Sequence, residues 1–190
     1  MSIWRDWITD IAELLARTET HSSGGELMDV EQAFALWADW TLSTRKANGT
    51  AYFVGNGASA SMACHFSADL AKNARVRTQV FTDPSLMTAV ANDVCYEAVF
   101  AEPLSWFGRK GDLLITVSSS GNSPNLVKAL EIARDKEIRS VALSAMRVDN
   151  ESRRLADLSL YVPAQTYGLA ETCHAAILHH WMDLMEAQIR

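Results

Sequence analysis

The chain has 190 residues, of which 48% are hydrophobic and 21% are charged. This length is that of one domain, and the composition is that of a folded globular protein, which excludes a disordered or fibrous chain. The formal net charge of −6 argues against nucleic acid as a partner, because binding to a phosphate backbone depends on clustered Lys and Arg.

Neither a membrane span nor a signal peptide is predicted. No apolar run reaches about 18 residues, and the first residues lack the basic and then apolar order of a secretion signal. A cytoplasmic protein is expected. The three cysteines, Cys64, Cys95 and Cys173, are far apart and form no CxxC pair, so neither a disulfide framework nor a zinc knuckle is predicted.

Residues 1–48 are predicted to form two amphipathic helices for oligomerisation. Side chains with helical spacing are Ile3, Trp7, Ile11, Leu14 and Leu15, then Val30, Phe34, Trp37 and Thr41. A Ser-Ser-Gly-Gly loop at 22–25 separates the two helices. Four tryptophans are expected to be buried between subunits, namely Trp4, Trp7, Trp37 and Trp40.

From residue 49 to residue 190, short apolar runs alternate with helical segments. Strands are predicted at 51–54, 78–81, 113–117, 140–143 and 158–162. Helices are predicted at 59–72, 85–91, 96–106, 125–136, 151–156 and 169–188. This alternation predicts a five-stranded parallel sheet covered on both faces, a three-layer α/β/α sandwich within one domain spanning 1–190. Ligands of such folds bind at the carboxyl ends of the strands.

The loop after the first predicted strand, Gly55 to Ser61, contains residues that permit close approach of a ligand to the backbone. Its glycines permit positive φ, and Ser59 can cap the next helix. It is not a dinucleotide fingerprint, because Ala60 stands where GxGxxG requires glycine, and the chain has no Walker GK[ST] motif. No nucleotide cofactor is therefore predicted.

The loop after the third predicted strand is the strongest candidate for a phosphate site. It reads Ser118-Ser119-Ser120-Gly121-Asn122-Ser123. Ser123 suits an N-cap and Pro124 the first helical position, so a helix should begin here. Helix-start N–H groups and serine hydroxyls could then surround a phosphate without Lys or Arg. A capped surface turn is the alternative.

These loops belong to a set of motifs that resembles a known family over roughly the whole chain. The further motifs, in chain order, are His65-Phe66-Ser67-Ala68-Asp69-Leu70, Ala91-Asn92-Asp93 and a late helix that bears histidines. The set resembles the phosphoheptose isomerase branch of the SIS (sugar isomerase) family. The resemblance implies a flavodoxin-like fold, isomerisation of sedoheptulose 7-phosphate or a related ketose phosphate through an enediol, and a homotetramer with its sites at subunit interfaces. It implies substrate or phosphate contacts from Asn56, Gly57, Ser59, Asn92, Asp93, Ser118, Ser119, Ser120 and Ser123.

An acid–base pair is also expected. His65 and Asp69 are four residues apart, on one helix face. The resemblance implies that Asp69, where the isomerases have Glu, is the base and that His179 is the acid. It also implies a possible zinc site of His65, Asp69, Glu171 and His179. A mere i,i+4 pair is the alternative for His65 and Asp69, and for His174 and His180 we expect packing or solvent.

Spacing along the last helix favours a site shared between subunits. Glu171 and His179 are eight residues apart, about 12 Å along a straight helix. Long side chains might converge across that distance, but a site formed by two subunits is geometrically easier.

Several positions depart from the family pattern. Glu171 replaces Gln, Leu169 replaces Arg and Thr166 replaces Asp, and loss of polar partners changes which sugar a site accepts. Some SIS relatives that lack the carboxylate and histidine are scaffolds for the bacterial replication initiator. A noncatalytic oligomer that binds a sugar phosphate or a protein is therefore the alternative to an enzyme, and retention of Asp69 and His179 favours the enzyme.

Overall fold

The computed structural model describes residues 3–189, so Met1, Ser2 and Arg190 of the predicted domain lie outside the described residues. The helices of this part are α1 (Trp4–Ala16), α2 (Val30–Lys46), α3 (Ala58–Ala74), α4 (Pro84–Asp93), α5 (Ala101–Phe107), α6 (Pro124–Asp135), α7 (Glu151–Leu155) and α8 (Tyr167–Ile189), with a 3₁₀ helix at Tyr96–Ala98. Its strands are β1 (Glu19–Ser22), β2 (Leu27–Met28), β3 (Thr50–Gly55), β4 (Arg77–Val80), β5 (Leu113–Ser118), β6 (Arg139–Ala145) and β7 (Leu158–Val162).

Within these residues the strands form one sheet in the order β2-β1-β7-β6-β5-β3-β4. The strands β3 to β7 pair in parallel and follow the order 2-1-3-4-5 when numbered along the chain. This is the doubly wound, flavodoxin-like order. All of these strands are parallel, and the direction in which successive strands are added to the sheet reverses between the first and third strands. The predicted five-stranded parallel sheet is therefore confirmed, and β3 and β5 flank the switch point.

A β-hairpin extends this sheet and corrects the prediction for the first 48 residues. The strand β1 pairs antiparallel with both β2 and β7, and the turn between β1 and β2 uses positive φ at Gly24 and Gly25. The predicted loop at 22–25 contains the turn of this hairpin, but the sequence does not predict its two strands, because they are short and lack a clear apolar alternation.

Two apolar layers cover the two faces of the sheet. One contains residues of α2, α3 and α8, and the other contains residues of α4, α5 and α6. In the first layer the rings of Trp37 and Trp181 stack at 4.2 Å between centroids. Trp37 is 0% exposed within one chain, so the prediction that Trp37 is buried between subunits is wrong.

The helix α1 differs from α2 in its burial. No residue of α1 is buried within the described chain. Trp4 is 72% exposed and stacks on Trp7, with their ring centroids 5.3 Å apart. Ile8 is also exposed. The apolar stripe that predicted this helix is thus only partly covered by its own chain.

Between residues 3 and 189, no helix combines the length and the apolar character that crossing a membrane requires.

His174 of α8 is a buried histidine that makes stability depend on pH. It is fully buried, and neither ring nitrogen makes a hydrogen bond of normal geometry to the described residues. Burial lowers the pKa of His174 from 6.5 to about 4, and the nearby backbone of Ser144 raises this pKa by a smaller amount. Between pH 6.5 and about pH 4, the imidazole of His174 is therefore protonated in the unfolded chain but not in the folded chain. Stability contributed by neutral His174 is present above pH 6.5 and is lost as the pH falls toward 4.

We expect His174→Leu to weaken this pH dependence. Between pH 6.5 and pH 4 the free energy of unfolding should fall by about 3 kcal/mol less in the variant than in the parent, at 1.36 kcal/mol per pKa unit. Urea unfolding at a series of pH values measures both slopes, and data at pH 8 give the cost of the substitution itself. Equal slopes in the two proteins would show that His174 is protonated equally in both states.

Candidate functional site

A cleft of about 160 Å³ lies at the switch point in the strand order, at the carboxyl ends of β3 and β5. Its lining comes from the β3–α3 loop, the β5–α6 loop and the start of α8: Asn56, Ser59, Val117, Ser118, Ser119, Ser120, Ser123, Leu126, Tyr167 and Glu171. Six of the nine residues predicted to contact substrate or phosphate are in this lining. This edge of a doubly wound sheet is where ligands of such folds bind.

The serine loop places hydroxyl groups at the start of α6. The Oγ of Ser118 lies 3.5 Å from the Oγ of Ser120 and from that of Ser123. Ser118 Oγ accepts the N–H of Gly121 at 3.1 Å. Ser123 occupies the predicted N-cap position before Pro124, but its side chain does not cap the helix. Its hydroxyl therefore remains available to a ligand beside the N–H groups of the first helical turn.

The β3–α3 loop is joined to the serine loop by a pair of amides. Asn56 and Asn125 exchange hydrogen bonds, Nδ2 to Oδ1 in both directions, at 3.0 and 2.9 Å. Gly55 allows the close approach of this loop to α3, since a Cβ there would lie 2.7 Å from the backbone of Ser59. Gly57 has φ of +55° and is exposed next to the cleft, outside its lining.

Asn92 and Asp93 do not reach this cleft within one chain. Both lie exposed at the end of α4, and Asn92 Nδ2 donates to Asp93 Oδ1 at 2.8 Å. Neither belongs to the lining. Their predicted contact with substrate therefore requires another part of an assembly or a different conformation of this segment.

Three of the predicted catalytic and metal-binding residues form a surface cluster between α3 and α8. His65 Nε2 lies 3.3 Å from Asp69 Oδ2, with 25% of the Asp69 side chain exposed. The ring of His179 is 5.9 Å from that of His65 and 4.8 Å from that of Phe66, between centroids. A carboxylate and two imidazoles thus lie together, which is a set of groups that general acid–base catalysis can use.

The acid–base cluster, His65, Asp69 and His179, is separate from the cleft of its own chain. Ser59 lines the cleft and Asp69 follows it by ten residues on α3, which is about 15 Å of helix. Glu171 lines the cleft and His179 follows by eight residues on α8, about 12 Å further on. The predicted difficulty of bringing Glu171 and His179 together is therefore present in the structure.

The four predicted zinc ligands do not form one site within a chain. Across residues 3–189, no group of three or more His, Cys, Asp or Glu side chains converges closely enough to hold a metal ion. Glu171 stands at the cleft, apart from the acid–base cluster. Zinc binding therefore remains a prediction.

The cleft is almost free of charge. Its only ionisable carboxylate is Glu171, and no lysine or arginine is part of its described lining. Any anion bound here would meet neutral donors, as the sequence predicted for a phosphate. Glu171 could accept hydrogen bonds from hydroxyl groups of a polyhydroxylated ligand.

Sequence analysis missed some of the lining. Tyr167 is not among the predicted site residues, because the sequence predicts that the last helix begins at residue 169, whereas it begins at Tyr167. Asn125 lies outside the lining but pairs with the lining residue Asn56, 69 residues earlier, and nothing in the local sequence pattern indicates this contact. Thr166 accepts the N–H of Leu169 at 3.3 Å, so the signal for the start of α8 was a threonine N-cap. His180 packs edge-on against Phe34, as expected.

The chain is similar to known proteins over most of its length. The SIS domain family matches residues 6–145. The chain is 36% identical over 167 residues to the phosphoheptose isomerase of Akkermansia muciniphila, covering 85% of this chain and 86% of the relative. It is 33% identical over 180 residues to that of Helicobacter pylori strain 26695, covering 92% of each.

Two solved structures resemble the chain as well. The phosphoheptose isomerase of Neisseria gonorrhoeae superposes with a TM-score of 0.82 at 25% identity, covering 96% of this chain and 94% of that one. The NanR protein of Vibrio vulnificus, solved with ManNAc-6P, gives a TM-score of 0.66 at 16% identity, over 97% of this chain and 59% of that one. At that identity the second likeness concerns the fold alone.

Proposed function

Because this chain belongs to the SIS domain family, and matches its phosphoheptose isomerases over most of its length, we propose that it isomerises a sugar phosphate. The reaction is aldose–ketose interconversion through an enediol, with sedoheptulose 7-phosphate as the proposed substrate. The observation that carries this proposal is a serine-lined cleft at the start of α6, combined with a carboxylate–histidine cluster on α3 and α8. The proposed location is the cytoplasm.

The cleft would bind the phosphate end of the substrate. Hydroxyls of Ser118, Ser120 and Ser123 and the first N–H groups of α6 supply donors, and the helix dipole favours negative charge at this end. Hydrogen bonds to a charged group are shorter and stronger than neutral ones. Glu171, at the same cleft, would accept from sugar hydroxyls and so help to set which chain length and configuration fit.

The acid–base cluster would act on the carbonyl end. Asp69 takes a proton from the carbon next to the carbonyl, and the electron pair of that C–H bond forms the C=C bond of the enediol. His179 donates a proton to the carbonyl oxygen as its double bond becomes single. Return of a proton to the other carbon, with loss of the proton from the other hydroxyl, completes the isomerisation.

The separation within one chain supports a site shared between subunits. The acid–base cluster and the cleft lie about 12–15 Å apart along their common helices, whereas the substrate must contact both. A second copy would place its acid–base cluster over the cleft of the first. We propose a homotetramer, with the exposed apolar face of α1 at an interface, where Trp4 and Ile8 would be covered. Glu171 of one subunit beside the acid–base cluster of another would then complete the predicted zinc ligands.

The noncatalytic alternative is not favoured. The curated relatives named above are isomerases, and this chain keeps both a carboxylate and a histidine in the acid–base cluster. The deciding experiment is incubation in D₂O with sedoheptulose 7-phosphate and shorter ketose phosphates. Formation of the aldose with deuterium at the carbon next to the carbonyl supports the proposal. Binding of these compounds without turnover or deuterium uptake would favour a binding scaffold.

Replacing Ser120 and Ser123 together by Ala should weaken binding of the sugar phosphate at least tenfold. Two charge-assisted hydrogen bonds are lost, and each contributes about 1.5–3 kcal/mol. Calorimetry with inorganic phosphate and KM for the sugar phosphate measure the loss. The matched control replaces Ser43 and Ser61, which are exposed on α2 and α3 outside the cleft. Unchanged affinity in a folded cleft variant would exclude this loop as the phosphate site.

A further inference from the structure

The side of the serine loop that faces away from the cleft is held by β6 and α7. The carbonyl of Ser119 accepts the N–H of Ala145 at 3.1 Å, and the carbonyl of Gly121 accepts the N–H of Ser152 at 2.9 Å. Asn122 Oδ1 accepts the N–H of Glu151 at 2.8 Å. Asn122 is absent from the cleft lining, so its side chain serves α7 and not the ligand site.

Asn150 anchors the other half of this contact. It is 1% exposed, and its Oδ1 accepts the N–H of Arg153 at 3.0 Å, which caps α7. Its Nδ2 donates to Ser144 Oγ at 3.1 Å and to the carbonyl of Arg147 at 2.6 Å. Asn150 is therefore fixed to β6 and to the segment that follows it.

Gly121 packs closely against the side-chain amide of Asn150. Its φ is +65°, and a Cβ at this position would lie 2.2 Å from Asn150 Oδ1. Asn150 therefore determines how closely the serine loop approaches α7. Because the loop is held at Ser119, Gly121 and Asn122 on one side, the hydroxyls of the remaining serines are directed to the other side, where the cleft is.

We infer that Asn122 is a positioning residue for phosphate binding, because it docks the serine loop on the first turn of α7, next to the place where Asn150 contacts Gly121. This inference rests on the proposed function for its ligand and adds a residue that does not touch the ligand. The first N–H groups of a helix lack partners within the helix, and here the loop supplies acceptors for two of them. A loop that is already ordered loses less conformational entropy when phosphate binds, which raises affinity.

The hydrogen bond between Glu151 and Asn122 can be removed from either side. Glu151→Pro deletes the donor N–H at the first position of α7, where proline is well tolerated. Asn150 precedes it with φ −73° and ψ 150°, a conformation that suits a residue before proline. Asn122→Ala deletes the acceptor. Glu151→Ala is the matched control, because it removes the half-buried side chain, which pairs with Arg154, and keeps the N–H.

For Glu151→Pro and Asn122→Ala, KM for the sugar phosphate and Kd for inorganic phosphate should each rise about tenfold, with kcat within about twofold of the parent. The double variant should be no worse than the worse single variant, because both changes act on one contact. Glu151→Ala should match the parent. Amide hydrogen exchange of residues 118–123 in the free protein should accelerate in the first two variants and not in the control.

The outcomes separate this inference from the proposed function. Parental KM, phosphate affinity and exchange rates in both variants would overturn the inference. Equal losses in Glu151→Ala would overturn it as well, because the side chain and not the loop contact would then matter. A parent that binds phosphate but isomerises no sugar phosphate would overturn the proposed function alone, since phosphate affinity and exchange rates still decide whether Asn122 positions the loop.

Discussion

Replacing Asp69 by Asn should lower turnover by about 10²–10⁴-fold, and His179→Gln should lower it by a similar factor, while phosphate affinity stays nearly unchanged. Asparagine keeps the size of the side chain but cannot accept the proton from carbon. Glutamine at position 179 cannot donate a proton to the carbonyl oxygen. Because the acid–base cluster is separate from the serine cleft, the loss should fall on kcat.

Steady-state kinetics and deuterium uptake from solvent measure this prediction. Two exposed residues of α8 next to the acid–base cluster supply matched controls, His180→Gln and Asp183→Asn. Full activity in either catalytic variant would remove that residue from the mechanism. Metal analysis distinguishes a role in proton transfer from a role in metal binding. If Asp69 and His179 are zinc ligands, both variants should lose the metal, and a chelator should inactivate the parent protein.

Sequence patterns were sufficient for the parallel core. The strands β3, β5, β6 and β7 are short runs rich in apolar residues between helical segments, and in a sheet buried on both faces such runs need no alternation. The edge strand β4, Arg-Thr-Gln-Val, is less apolar. The Ser-Ser-Ser-Gly-Asn-Ser stretch also located the cleft, because Ser123 and Pro124 mark a helix start regardless of what packs around it.

Features that depend on distant partners were not accessible in this way. The hairpin strand β1 has the sequence Glu-Thr-His-Ser and exists because the edge of β7 is available for pairing. Trp37 and Trp4 each lie on a predicted amphipathic helix, yet Trp37 stacks on Trp181 in the core and Trp4 is exposed. Both helices contact α8, and what separates the two cases is the stacking of Trp37 on Trp181, a residue 144 positions later in the chain.

The departures from the family pattern acquire structural meaning on α8. Thr166 caps the helix, and Leu169 is half-buried against the core. Neither supplies a charge to the cleft, whereas Glu171 lines it directly. Discrimination among sugars at this end of the substrate should therefore depend on Glu171, since a carboxylate can only accept hydrogen bonds when ionised.

Mixed oligomers of two impaired variants should regain activity if the site is shared. The Asp69→Asn chain keeps an intact cleft, and the chain with Ser120 and Ser123 replaced by Ala keeps an intact acid–base cluster. In random equimolar assemblies about a quarter of the sites would combine the intact cleft of one chain with the intact acid–base cluster of another. At low substrate concentration, kcat/KM should reach about that fraction of the parent, severalfold above the mean of the separate variants.

Coexpression of the two chains with different affinity tags, followed by tandem purification, provides the mixed oligomers. The negative control pairs Asp69→Asn with His179→Gln. These residues lie in the acid–base cluster of one chain, so every acid–base cluster in that mixture is defective and no activity should return. Recovery in the first mixture alone establishes that cleft and acid–base cluster come from different subunits. Activity equal to the mean of the separate variants, or a monomer by light scattering at micromolar concentration, would contradict the shared site and require both ends of the substrate to be held within one chain.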